Sequence, residues 1–345
     1  VLAARTHHEV DSRAGDDRTG LNGMIEDVRA GMAEAGADAL VLRPSPDFRY
    51  LGGRGGGYLV LTPDGPLSTV DAPAEAAALI PSSARRVAVD PEMRASELFA
   101  LRLDTELMLA SAVLAPLRLR KRPEEVAAMR RATSAADAVL LSARQLTWFG
   151  ATERAMAFRL RAMLAETGCE DVISLVVAAG EHTAVAAHTP CERVINPGDA
   201  LLVSVCGRWD GYCTEVARVF AVAEPPDDFE AMYSVVLSAQ HAALEAVRPG
   251  VPASEPARIA GEVIDGSGYG HYAAGRQARG IGLSPDEGPR PVPDEVFSPG
   301  MTVCLEPAIF LPELFGARVA DVVVCGSHGP EPLSLSSPSL HVMDR

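Results

Sequence analysis

The sequence predicts an α+β chain in which a small α/β domain over residues 20–118 precedes a larger α+β domain over 119–345, with a flexible arm at 1–19. Three observations lead there. The 345 residues suffice for about two domains at roughly 150 residues each. In the first third, strand-like and helix-like segments alternate, whereas later strand candidates are neighbours in sequence and helices come in pairs. Between these regions, near Leu117–Pro123, a proline stands where a helix would begin.

Residues 1–19 are charged or small and show no apolar period, so they read as a loose arm. Leu21, Met24, Ile25, Val28 and Met32 then share one helical face, and Gly36 ends that helix. Ala39–Leu42, Tyr58–Leu61, Leu67–Val70 and Val87–Val89 are expected to be strands, with an Ala-rich helix near 73–80. Behind Pro123, Glu124 and Glu125 suit the positive end of a helix, and Val126, Met129, Ala132, Ala136, Val139 and Leu140 continue its buried stripe. Thr152 caps a second helix that Gly168 stops. Strands are expected at 172–179, 200–206 and 212–222, then helices near 229–247 and 253–265. Two late strands, 301–306 and 318–325, close the domain.

Composition narrows the function classes. With 48% hydrophobic and 22% charged residues the chain is globular rather than disordered. No apolar run approaches the ~20 residues that span a bilayer. The formal charge of −15 and the lack of a Lys/Arg-rich run argue against nucleic-acid or anionic-membrane partners. The six cysteines show no C-x-x-C spacing, so neither a disulfide framework nor a structural zinc site is expected. A reduced cytoplasm is the expected setting, with no signal peptide at the N-terminus. The cysteines, Trp209 and the methionines read as core. RGGGY (54–58) is not a phosphate loop, because no G-K-[ST] follows.

Leu201–Phe220, ARGIGLSPDEGP (278–289), GMTVCLEPAIF (300–310), GARVADVVV (316–324) and RKRPEEVAAMRRA (120–132) together resemble segments of the pita-bread family of methionine aminopeptidases, Xaa-Pro peptidases, prolidases and creatinase. Leu201–Phe220 is similar to its strand pair, and ARGIGLSPDEGP (278–289) to its G-H-G-I-G-L-x-x-H-E-x-P segment. GMTVCLEPAIF (300–310) resembles G-M-x-x-x-x-E-P-G-I, and GARVADVVV (316–324) resembles G-x-R-x-E-D. RKRPEEVAAMRRA (120–132) matches the helix that opens the catalytic domain. The resemblance implies a pita-bread catalytic domain and a homodimer with its site at the interface.

The peptidases of this family hold two metal ions with two Asp, one His and two Glu. Carried over, these positions are Ser204, Glu215, Arg279, Glu306 and Ala320. Two carboxylates survive, and a guanidinium, which has no lone pair to offer, replaces the His. Asp321 lies on the strand face opposite Ala320. No metal cofactor is therefore expected. Creatinase is the family member that works without metal, and its resemblance implies roles. Arg279 matches its substrate-carboxylate Arg, and Arg54 a second one supplied across the dimer. His188 in AAHTP matches its general base, and Glu306 its E-P glutamate. A second creatinase glutamate falls on Ala217, with Glu215 two residues earlier on the same strand face. His182 and His271 lie in family site segments, and Asp286 replaces a substrate-contacting His.

The residues themselves allow this chemistry. An ordinary His titrates near ~6.5 and can take a proton from water and return it to a leaving nitrogen. Glu306 and Glu215, in apolar strands, need cationic or N–H partners: a substrate amidine or amide, Arg279, Arg218 or Arg318. Arg279 suits a bidentate carboxylate clamp, or equally a plug that neutralises both glutamates. The expected function is metal-independent hydrolysis of an amidine or amide C–N bond in a small carboxylate-bearing substrate. His188, Glu306 and Glu215 would be catalytic, and Arg279, Arg54, His271, Asp286 and His182 would bind substrate. The alternatives are a non-catalytic binding protein, a metallopeptidase with ligands rearranged onto Asp210, Glu215, His271 and Glu306, and a non-hydrolytic biosynthetic enzyme. Closure of the pocket by Arg279 would favour the binding protein, and an open pocket the enzyme.

Overall fold

The computed structural model describes residues 17–343. The arm expected at 1–19 lies outside the described residues up to position 16, and the first helix begins at Asp17. By contacts the chain divides into two units, Val1–Leu117 and Arg118–Arg345.

The first unit runs α1 (Asp17–Ala35), β1 (Ala39–Leu42), α2 (Pro46–Tyr50), β2 (Tyr58–Leu61), β3 (Ser68–Val70), α3 (Pro73–Leu79), β4 (Arg86–Val89), α4 (Ala95–Leu101), β5 (Glu106–Leu109) and α5 (Ser111–Leu119). Its sheet has the order β3-β2-β1-β4-β5, with β1, β4 and β5 parallel. Central β1 is buried along its whole length, which is why its residues form a continuous apolar run. Gly36 ends α1 at φ +69°, a conformation that costs glycine little. The sequence patterning does not predict α2, α4, β5 or α5. The edge strand β5 is mostly exposed, so it carries no buried run to recognise.

The second unit begins with α6 (Pro123–Ala143) and α7 (Glu153–Glu166), then β6 (Asp171–Ala179), β7 (Ala200–Trp209) and β8 (Tyr212–Val222). Next come α8 (Phe229–Glu245), α9 (Glu255–Gly266), β9 (Ala278–Gly280), β10 (Thr302–Leu305), β11 (Ala308–Leu311), β12 (Phe315–Arg318), β13 (Asp321–Gly326), β14 (Gly329–Pro332) and β15 (His341–Met343). Three sheets result, ordered β15-β8-β7-β6, β14-β13-β10-β9 and β11-β12. The alternation of β7 and β8 separates two cores. Leu201, Val203, Val205, Val216 and Phe220 pack with α6 and α7 residues such as Leu140 and Leu160. Leu202, Cys213, Ala217 and Val219 face the other way, onto residues of α8, α9, β10 and β13.

The strand expected at 318–325 is two strands, because the chain breaks at Val319 and Ala320 to change sheets. Opposite this break, Pro307 interrupts β10 and β11, where its missing N–H cannot continue a ladder. Glu306 sits at that interruption, which is how a carboxylate comes to lie at the edge of a cavity.

Candidate active site

Strand pairing assembles the first cluster. Antiparallel pairing of β9 with β10 puts Arg279 opposite Cys304, and the Glu306 N–H donates to Gln277 O, so Arg279 and Glu306 are near neighbours. Glu215 arrives from β8. The Arg279 guanidinium donates from Nε to Glu306 Oε1 at 3.0 Å, from Nη2 to Glu215 and from Nη1 to the Pro285 carbonyl. Ser204 Oγ donates to Glu215 Oε1 at 3.2 Å, and Arg318 Nη2 lies 3.8 Å from the same oxygen. Burial pushes the Glu306 carboxyl up, and Arg279 opposes that shift. Burial also works against the charge on Arg279, but its anionic surroundings outweigh this and raise its pKa.

Two pairings considered from sequence do not form. Arg218 does not reach Glu215, because the two stand three positions apart on the strand and so project to opposite faces. It instead donates to Asp321, Ser334, Ser336 and the Ala217 and Ala320 carbonyls. Arg318 approaches Glu215 rather than Glu306.

The five-position metal cluster implied by the resemblance does not fit these residues. Donor atoms of Glu215, Cys304 and Glu306 do lie within 4.8 Å of one another. Arg279, however, already binds both carboxylates, and a cation placed there would meet a buried guanidinium at close range. Ser204 and Ala320 stand at two further ligand positions. The rearranged set does not assemble either. Asp210 sits at the exposed β7–β8 turn and pairs with Arg131 at 3.2 Å, and His271 is exposed in a short turn at Gly270–Tyr272.

A second cluster forms around a residue the sequence reading passed over. Glu153 is the first residue of α7, behind the Thr152 cap, where a helix N-terminus favours negative charge. Its side chain is fully buried. It accepts from Ala179 N at 2.9 Å and Cys191 N at 3.2 Å, and contacts His182 Nδ1 at 3.0 Å, His188 Nε2 at 2.7 Å and Cys191 Sγ at 3.3 Å. Burial raises its pKa, but His188 and these N–H donors outweigh it and hold the carboxyl below the ordinary range. An ionised carboxylate only accepts, so His188 carries a proton on Nε2, and the neutral ring then has its lone pair on Nδ1. The His182 and His188 rings lie 4.4 Å apart. H-x-x-C at 188–191 was the one sequence signal for Cys191, and nothing short of the fold pointed to Glu153.

Between the two clusters lies a cavity of about 680 Å³, a size suited to a small molecule. His188, Glu215, Glu306 and Arg279 line it, together with Arg161, Arg276 and Arg318. These last three were not anticipated. Arg318 Nε is buried without a hydrogen-bond partner among the described residues. Asp286 does not line the cavity but grips Arg276, at 2.7 and 3.0 Å, which lowers its pKa. His182 and His271 are not among the lining residues. Arg54 belongs to the first unit, exposed in its glycine-rich turn. Arg279 thus plugs both glutamates while the cavity beside them stays open.

The sequence profile of metallopeptidase family M24 matches residues 127–327. The probable dipeptidase PepE of Mycobacterium tuberculosis is 34% identical over 225 residues, which are 64% of this chain and 60% of that protein. The Xaa-Pro dipeptidase of Pyrococcus furiosus is 29% identical over 231 residues, 66% of each chain. The alignments thus span less than two thirds of these relatives' length. The crystal structure of dipeptidase PepE from Mycobacterium ulcerans superposes with a TM-score of 0.84 at 27% identity, covering 95% of this chain and 99% of that one. The fold is the pita-bread fold preceded by an N-terminal domain, and the chain belongs to metallopeptidase family M24.

Proposed function

We propose that this chain is a hydrolase that cleaves an amide or amidine C–N bond in a small carboxylate-bearing substrate, without a dinuclear metal centre. The observation that carries the reading is His188 in the cavity wall, with Nε2 2.7 Å from the buried Glu153 carboxylate. Glu153 fixes the tautomer and the ring orientation. Nδ1 takes a proton from water as the water attacks the substrate carbon, and returns it to the departing nitrogen. Arg279 on both surviving carboxylates supports chemistry without the family's metal pair.

The same contacts shift the carboxylate clamp away from Arg279. Arg318, with its unpartnered Nε, and Arg161 are better placed to hold a substrate anion, whereas Arg276 is already taken by Asp286. Glu306 and Glu215 edge the cavity as acceptors for substrate N–H groups. The relatives named above are dipeptidases, which supports hydrolysis over a pure binding role and makes dipeptides the first amides to try. Arg54 keeps a substrate role only in a homodimer whose second copy supplies it. The cysteines are free, which fits a cytoplasmic setting, and no described helix is long and apolar enough to cross a membrane.

The test is turnover of dipeptides and carboxylate-bearing amides and amidines by chelator-treated protein. His188→Ala is expected to lose ~10²–10⁴ in kcat. A loss under tenfold removes His188 from the base role, and activity seen only after Mn²⁺ or Co²⁺ is added overturns metal independence.

A further inference from the structure

We propose that Glu153, His182, His188 and Cys191 form a closed four-ligand site for one zinc-type transition-metal ion, separate from the position of the family's metal pair. Each residue offers one donor atom, and all four atoms lie within 4.8 Å of one another. Ligands bound to tetrahedral Zn²⁺ at ~2.0–2.3 Å stand roughly 3.3–3.7 Å apart. Measured from whichever Glu153 oxygen is nearer, the contacts here bracket that spacing: 3.0 Å from Oε1 to His182 Nδ1, 2.7 Å from Oε2 to His188 Nε2, 3.3 Å from Oε2 to Cys191 Sγ and 3.9 Å from Sγ to His182 Nδ1.

The donor chemistry selects the ion. One thiolate, two imidazoles and a carboxylate suit zinc rather than the hard cations that prefer all-oxygen sites. Without metal, two imidazole N–H groups and a thiol converge on a single carboxylate, an arrangement in which one cation replaces three protons. Binding releases the Cys191 proton and moves the imidazole protons to His182 Nε2 and His188 Nδ1. With Glu153 and the thiolate both negative, the loaded site is neutral, which suits its largely buried position.

A carboxylate stands near the far nitrogen of His182, one small side-chain shift from hydrogen-bond reach. Glu181 Oε1 lies 3.9 Å from His182 Nε2, where the displaced proton would sit. Arg193 holds Glu181 in turn, at 2.8 and 2.9 Å. A carboxylate on the far nitrogen of a metal-bound His is the usual orienting device. Four protein ligands leave no open position, so the ion would not activate water. On the hydrolase reading above, it would protonate His188 Nδ1 and silence the base, so zinc would inhibit; the binding itself does not rest on that reading.

The test is titration of metal-stripped full-length protein with Co²⁺, followed by back-titration with Zn²⁺. The expected result is one Co²⁺ per chain, with intense tetrahedral visible bands and a near-ultraviolet thiolate-to-cobalt charge-transfer band that Zn²⁺ abolishes. Cys191→Ala should lose the charge-transfer band, and His182→Ala, at a partly exposed position, should weaken Co²⁺ binding at least tenfold. Circular dichroism checks that both variants fold, and His182→Ala alone decides if Cys191→Ala does not. Absence of the band at one equivalent, its persistence in Cys191→Ala, or unchanged affinity in His182→Ala overturns the site. A hydrolase that fails its own test leaves these optical readouts untouched.

Discussion

Replacing Arg279 with Met should convert a neutralised pair of glutamates into two buried, unpaired carboxylates. Arg279 Nε stands 3.0 Å from Glu306 Oε1. At that separation one contact is worth about 5 kcal/mol of attraction at an effective dielectric of ~20, before the offset of desolvation. Removing one partner of a buried pair destabilises by roughly 3–5 kcal/mol. Proton chemistry gives a similar figure. If one glutamate must be protonated to relieve the repulsion, doing so at pH 7 against an ordinary pKa of ~4.3 costs about 3.7 kcal/mol. At pH 5 the same step costs about 1 kcal/mol, so roughly 2–3 kcal/mol of the loss should be recovered.

The assay is the difference in melting temperature between Arg279→Met and the parent, measured by calorimetry at both pH values. For a unit of this size about 2–4 °C accompanies each kcal/mol, so the variant should melt roughly 6–20 °C lower at pH 7. Glu306 should take the proton, because burial already pushes its carboxyl up. A drop under ~3 °C at pH 7, or one that does not shrink at pH 5, refutes the view that the guanidinium is what makes these two glutamates tolerable.

Two further outcomes follow from the same unit. Glu287 pairs with Arg118 and, at 2.8 Å, with the buried Lys121. Burial raises its pKa, but these cations outweigh it and depress the folded value, so its contribution is complete above about pH 4.3 and is lost as pH falls through that folded value. Glu287→Gln should lose about 3–5 kcal/mol at pH 7 by denaturant unfolding, and its deficit should narrow in acid; a deficit independent of pH removes the ion pair as its source. At Gly316 an added Cβ would stand 2.5 Å from the Thr183 carbonyl oxygen and 2.6 Å from Phe310 Cδ1. Gly316→Ala should destabilise by roughly 1–3 kcal/mol through overpacking and displace the turn that carries His182, read as a changed His182 signal by NMR.

Legibility followed locality. The helix at 123–143 was readable because its proline start, acidic first turn and apolar stripe all lie within one element. The long strands β7 and β8 were readable because nearly every residue is buried, leaving runs that are mostly apolar and interrupted by few polar residues. The break at Val319–Ala320 was not, because Val319 and Ala320 are as apolar as their neighbours and only the change of sheet separates β12 from β13. His188, Glu215, Glu306 and Arg279 could be nominated from motifs, and all four line one cavity.

Their partners could not be nominated in this way. The sequence by itself carried the family resemblance, and with it the placing of Ser204, Glu215, Arg279, Glu306 and Ala320 at the positions which that resemblance implies for the metal ligands, since both depend on residue identity in order. Tertiary structure decided what the remaining charges do. Whether Arg279 meets a substrate or two glutamates depends on the pairing of β9 with β10 and the approach of β8. That Glu153 meets His182, His188 and Cys191 depends on the end of β6 folding back over the start of α7. Burial makes such encounters obligatory, because a charge removed from water must find its partner wherever the fold supplies one, at any distance along the chain.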